Sequence, residues 1–260
     1  MPLFQPDRSL LATPPLVATL VQVKFDARDD AATPAAGARM LDYAQQLGLP
    51  AMKQIHHQQV VISGAPGQVD QAPRQPAGWQ FAADDQVMVL TVLTDQMTLE
   101  AKSYRGWDAF VIAWATAVEM LIEVVDPELR TRLGLRYVNR MTPAGIPTAS
   151  ELQRADLVDS SFLGPAVGSD LSEYVTAMEG RVTMSFPDGT AVLVQHGVVT
   201  ESGTLTFVLD IDCFLDKAAK FNARNVTEAS AKLNEKSLQV FQTVVHEKLR
   251  AEMKRSEVAS

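Results

Sequence analysis

Cysteine is almost missing from this chain: Cys213 stands alone among 260 residues. A lone thiol rules out an internal disulfide and cannot be half of a CxxC pair. Neither an oxidising compartment nor a cysteine-built zinc site is therefore indicated, and a cytoplasmic location is expected. Long apolar runs are missing too. The most hydrophobic stretch, Trp107 to Val125, carries Asp108, Glu119 and Glu123, and nothing approaches the ~18 uninterrupted apolar residues of a spanning helix. The opening MPLFQPDRSLLATPPL has no early basic cluster and is broken by prolines, so neither an export signal nor a membrane segment is expected. Basic residues are outnumbered, with 23 Lys and Arg against 31 Asp and Glu. The net charge of −8 argues against attraction of the whole surface to nucleic acid or anionic lipid. Also absent are GxxxxGK[ST], a GxGxxG following a strand, GxSxG and HExxH, which removes the common nucleotide and hydrolase signatures.

What is present is apolar material, 47% hydrophobic against 21% charged, enough for one large domain or two small ones without staples. Leu16 to Phe25 is rich in β-branched residues and reads as a strand, followed by a helix over Ala35 to Leu47 that Gly48 and Pro50 stop. Gln58 to Ser63 reads as a short strand, and the proline-rich Gly64 to Gly78 as an exposed loop. Trp79 to Ala82, Gln86 to Leu93 and Met97 to Lys102 form a meander with polar turns between them. Trp107, Phe110, Trp114, Ala117, Leu121 and Val125 then recur at helical spacing, and Pro127 closes this half.

The second half repeats the order. Arg132 to Met141 reads as a strand and Leu171 to Met178 as helical. Arg181 to Phe186 and Thr190 to His196 flank the hairpin turn Pro187-Asp188-Gly189, and Thr204 to Cys213 is the next strand. Asn225, with Glu228 three residues on, is placed to cap a long last helix whose stripe runs from Leu233 to Leu249. The expectation is an α+β protein made of a duplicated unit, an antiparallel meander with a long helix packed on it. The two halves, 1–128 and 129–260, form one compact protein, with either one continuous sheet or two.

The strand beginning Arg132-Leu133-Gly134-Leu135-Arg136 carries the densest pattern. Its period of two puts Arg132, Arg136 and Arg140 on one face, about 13 Å apart at ~3.3 Å per residue, with Leu133, Leu135, Tyr137 and Asn139 on the other. Three guanidiniums in a row can hold phosphates or carboxylates through paired hydrogen bonds; the plainer reading is a cross-strand ion-pair ladder. Acids for that ladder exist in Asp210, Asp212 and Glu100, each on the polar face of its strand. Asp210-Ile211-Asp212 also has the spacing by which two carboxylates bridge a divalent cation, against the commoner solvated or ion-paired strand end. The four histidines show no metal-ligand spacing, His196 reading as a surface residue, and Cys213 falls on an apolar strand face. Trp79, Trp107 and Trp114 can line a ligand cavity, although an aromatic stripe at helical spacing is more often plain core.

Pro14-Pro15-Leu16-Val17, Met97-Thr98-Leu99-Glu100 followed by Tyr104, Trp107 and Phe110, the block Leu133 to Arg140 (LGLRYVNR), and Leu209-Asp210-Ile211-Asp212 occur in that order along nearly the whole chain. In this the chain resembles a sporadically distributed family of uncharacterised bacterial and archaeal proteins of about this length. The resemblance implies no reaction, cofactor or catalytic residue. Its patchy occurrence is like that of genes carried with mobile or defence loci, which implies partner binding or sensing by association.

The expected function is accordingly a non-catalytic interaction protein of prokaryotic type. It engages a protein partner or its own copy through a polar sheet surface of Arg132, Arg136, Asn139, Arg140, Asp210, Asp212 and Glu100, or through the exposed end of the last helix. It needs no cofactor. The alternative is a binder or processor of a small phosphorylated ligand or nucleotide, with the arginine row on the anion and the DxD pair on magnesium. RNA binding is disfavoured by acidity and by the lack of aromatics alternating with basic residues.

Overall fold

The computed structural model describes residues 4–8, 11, 13–57, 60–62, 69–71 and 75–254. Strand β1 (Leu16–Phe25) buries Thr19, Val21, Val23 and Phe25 and leaves alternate positions half-exposed, as a strand covered on one face must. Helix α1 (Pro34–Gln46) starts where Thr33 Oγ1 accepts the Ala36 N–H, with Pro34 in the first turn where no N–H is needed. Strands β2 (Ala51–His57), β3 (Val60–Ile62), β4 (Val69–Gln71), β5 (Gln75–Ala82), β6 (Met88–Leu93) and β7 (Gln96–Ala101) follow, then helix α2 (Trp107–Val124). Next come β8 (Leu129–Met141), the short helix α3 (Ala149–Arg154), three single turns between Ser160 and Tyr174, and strands β9 (Ala177–Ser185), β10 (Ala191–Glu201), β11 (Thr204–Leu215) and β12 (Ala219–Lys220). Helices α4 (Ala223–Val244) and α5 (Glu247–Lys254) end the described chain.

All pairings are antiparallel. One ten-stranded sheet runs β2-β5-β6-β7-β1-β8-β11-β10-β9, with β12 beside the start of β8, while among the described residues β3 and β4 pair with each other. The 1–128 and 129–260 stretches meet where β1 pairs β8, Val21 opposite Leu135, and one buried cluster runs through both. The fold is α+β, with a single large sheet rather than two.

One face of that sheet is the core. Leu90, Leu99, Val21, Leu135, Tyr137, Phe207 and Val194 point to it and are buried, and α1, α2 and α4 pack there side by side. Trp114 Nε1 donates to Ser230 Oγ at 3.0 Å and joins α2 to α4 inside the core. The 142–176 segment lies on the same side, with Phe162 edge-on to His196 and Val158 bridging Val245. The alternate side chains, among them Leu20, Val138, Val208 and Leu193, stay half-exposed and outside the core cluster. Among the described residues no helix lies on that face, and none is long and apolar enough to cross a membrane.

Several local expectations need correction. Leu171 to Met178 is one tight turn over Ser172–Tyr174 followed by β9, not a helix. Asn222 caps α4, its Oδ1 accepting the Asn225 N–H at 2.7 Å, so Asn225 lies inside the helix. The last helix is not continuous: Val245 turns extended, with ψ at 111°, and its N–H returns to the Phe241 carbonyl before α5 begins. The described parts of Gly64 to Gly78 are strand, namely β4 and the start of β5; the rest of that segment, with Gln58, Gln59 and Ser63, lies outside the described residues.

Candidate functional site

Strand alternation delivers the arginine row to the uncovered face, and pairing with β11 brings the acids to it. In register Arg136 faces Asp212 and Val138 faces Asp210, yet the ion pairs run diagonally. Arg136 donates Nε to Asp210 Oδ1 at 2.8 Å and Nη2 to Oδ2, a two-point grip, and Gln195 reaches the same carboxylate at 3.3 Å. Asp212 is taken instead by Arg132 Nη2 at 3.0 Å. Arg132 also meets Asp216 at 3.3 Å and lies over the Phe214 ring, 4.8 Å from its centroid. Gly134 makes this possible, because a Cβ there would sit 2.5 Å from the Arg132 guanidinium. Hydrogen bonding to Asp210 raises Arg136 above the usual guanidinium range, and burial pushes the Asp212 carboxyl up despite Arg132 beside it.

Of the row, only Arg140 lacks a side-chain partner among the described residues. It is exposed, as is Arg136 in part. Glu100, two strands away on β7, shares the face at the level of Leu20 and Arg136 and likewise has no ion pair among the described residues. Asn139 does not join them: it is 3% exposed on the core face, where its Nδ2 donates to the Leu209 carbonyl at 3.0 Å. The two aspartates of the DxD pair are each held by a different arginine. Among the described residues no three His, Cys, Asp or Glu groups gather as a metal site.

A second concavity lies on the helical side. A cavity of about 460 Å³ opens between the first turn of α2, the middle of α4 and strands β8 and β11, roofed by the N-terminal segment. That segment is tied to α4 and α5. Gln239 donates to the Phe4 carbonyl, Gln242 exchanges hydrogen bonds with the Asp7 backbone, Arg8 pairs with Glu235, and Thr13 bonds the Met253 carbonyl. Its walls include Tyr104, Trp107, Tyr137, Ile211 and Phe241, and its polar floor is Asn139 and Asn234. The Tyr104 and Tyr137 hydroxyls stand 3.1 Å apart, and Tyr137 donates to Asn234 Oδ1 at 2.8 Å. Burial holds Tyr104 up at about 12 and raises Tyr137 well above its ordinary value, so both stay neutral hydroxyls.

Of the three tryptophans considered for a cavity, Trp107 lines it. Trp114 is fully buried core, and Trp79 stacks where Gly37 has no side chain. His196 is buried rather than on the surface. Its Nδ1 donates to the Phe162 carbonyl at 2.8 Å, and burial lowers its pKa. Burial pushes the Cys213 thiol up to about 12, Ser237 Oγ lying 3.0 Å away, which leaves no reactive thiolate. The residue that sequence reasoning missed is Asn234. The available signal was Ser230, Asn234 and Ser237, three polar residues inside the buried stripe of α4, where polar groups need a partner or a purpose. A scan against protein-family models finds none that matches this chain, and a search of curated proteins finds no relative.

Proposed function

We propose that the protein is a non-catalytic interaction protein whose docking surface is the uncovered sheet face, and that the occupant is a second copy of the chain. The observation that carries this reading is the charge of that face. Lys24, Lys53, Arg132, Arg136, Arg140 and Arg181 stand there against Glu100, Glu179, Asp210 and Asp212, so it carries none of the excess negative charge of a chain of net charge −8. Two such chains repel each other through most of their surfaces and least through this one. Arg140 and Glu100, opposite in sign and without ion pairs among the described residues, allow a reciprocal contact: a two-fold axis lying in the face between them sets each Arg140 over Glu100 of the other copy.

The face is also large enough. Nine strands in a row at ~4.8 Å spacing make it roughly 40 Å wide, and a standard interface covers about 800 Å² per partner. Half-exposed Leu20, Val138, Val208 and Leu193 supply apolar area between the charges. The phosphorylated-ligand alternative is weakened because Arg132 and Arg136, its anion donors, already hold Asp212 and Asp210.

Sedimentation equilibrium across a wide concentration range tests the proposal. A monomer–dimer equilibrium that weakens as salt rises from 50 to 500 mM supports it. A monomer at every concentration, or a monomer that associates only with an added acidic protein, refutes self-docking.

A further inference from the structure

The geometry points to the cavity between α2 and α4 as a binding site for a neutral nitrogen heterocycle with a lactam edge, one ring N–H beside one carbonyl, the chemistry of a uracil- or hypoxanthine-type base. The inference is independent of self-association, since the cavity and the uncovered face lie on opposite sides of the sheet.

Two amides carry it. Asn139 and Asn234 line the cavity and are 3% and 8% exposed. The Leu209 carbonyl can only accept, so it fixes the Asn139 amide with Nδ2 toward it and leaves Oδ1 without a partner among the described residues. Tyr137 donates to Asn234 Oδ1 and leaves that Nδ2 likewise without one. Neither amide end is sealed from solvent, and both residues line the same cavity, one offering an acceptor and the other a donor. They sit on neighbouring elements, Asn139 ~6.8 Å along β8 from the Tyr137 that holds Asn234. A ring N–H to Asn139 Oδ1 and a ring carbonyl to Asn234 Nδ2 satisfy both.

The rest of the cavity fits a flat, uncharged body. Trp107, Tyr104 and Phe241 give aromatic walls. The tyrosine hydroxyls beside the floor stay neutral, and the charged groups at the rim balance: Arg8 and Asp7 are paired with Glu235 and Lys254, and Arg105 and Asp108 are one of each sign. A volume of about 460 Å³ lies within the range of small-molecule sites.

Saturation-transfer NMR on the intact protein tests this with four probes: uridine, inosine, 3-methyluridine and naphthalene. Uridine or inosine should bind, and 3-methyluridine, whose ring N–H is blocked, should bind at least tenfold more weakly because Asn139 Oδ1 is then stranded. Asn234→Asp keeps the Tyr137 hydrogen bond but loses the donor, and should weaken uridine or inosine at least tenfold with the circular dichroism unchanged. Equal binding of uridine and 3-methyluridine, binding of naphthalene alone, or no binding of any probe at millimolar concentration overturns the inference. The probe comparison uses unaltered protein and stands even where the variant fails to fold.

Discussion

Removing the two partners of the Arg136–Asp210 pair one at a time should cost unequal amounts, because burial strands them differently. The Asp210 side chain is 10% exposed, whereas Arg136 is 44% exposed. Arg136→Ala leaves a carboxylate out of water with only Gln195 at 3.3 Å, the situation in which a broken pair costs about 3 kcal/mol. Asp210→Ala leaves a guanidinium that water can reach, and loses only the net worth of charge-assisted hydrogen bonds, about 1.5 kcal/mol. The double variant strands nothing and should cost about 1.5 kcal/mol rather than the additive ~4.5, a coupling of about 3 kcal/mol. Urea unfolding followed by far-ultraviolet circular dichroism at pH 7, with the slope checked for constancy, measures all three. If the single costs are equal, or if they add within about 0.5 kcal/mol, the pair is an ordinary solvated contact. The diagonal ladder is then not scaffold, and Arg136 is free to hold something else.

Three further outcomes follow from single contacts. Gly180→Ala should destabilise by about 2 kcal/mol in urea unfolding, since its Cβ would lie 2.4 Å from the His196 ring, which the Phe162 carbonyl pins in place; a neutral result would mean the ring moves freely. His196 has its pKa lowered by burial, so the unfolded chain binds its proton first, and stability held above the ordinary value near 6.5 is lost as pH falls through the lower folded value. Urea midpoints should drop between pH 7.5 and 5, with a smaller drop in His196→Gln, and equal drops would remove His196 as a cause. Cys213, with its thiol held up at about 12, should resist a thiol reagent at pH 8 in native protein and react on unfolding; rapid native labelling would show that the region opens.

The strands that bury one face were legible because their alternation is regular: Leu16 to Phe25 matches β1 residue for residue, and β8 and β11 carried their arginines and aspartates to a common face as the period of two requires. The pairing itself was not legible. Which acid Arg136 takes depends on Gly134 letting Arg132 lie across to Asp212, a choice made between strands about 80 residues apart. Alternation puts Asn139 on the Tyr137 side, away from the arginine row, and the structure buries it there. The end of the last helix is not legible because its apolar spacing continues through Val244, Val245 and Leu249, while the break comes from the segment around Val158, where the Asp159 N–H donates to the Val244 carbonyl and the Leu157 carbonyl accepts the His246 N–H. The cavity has no local signal either, since Trp107, Asn139 and Asn234 meet only after the sheet has formed.

The claim that the uncovered face receives a second copy is tested most directly by reciprocal charge reversal. Sedimentation of Arg140→Glu, of Glu100→Arg and of the two changes combined separates self-docking from any other role for these residues. Each single reversal sets like charges together and should weaken the dimer at least tenfold, and the combination should restore it. Three variants that all sediment like the unaltered protein, or a combination weaker than either single change, would contradict the account.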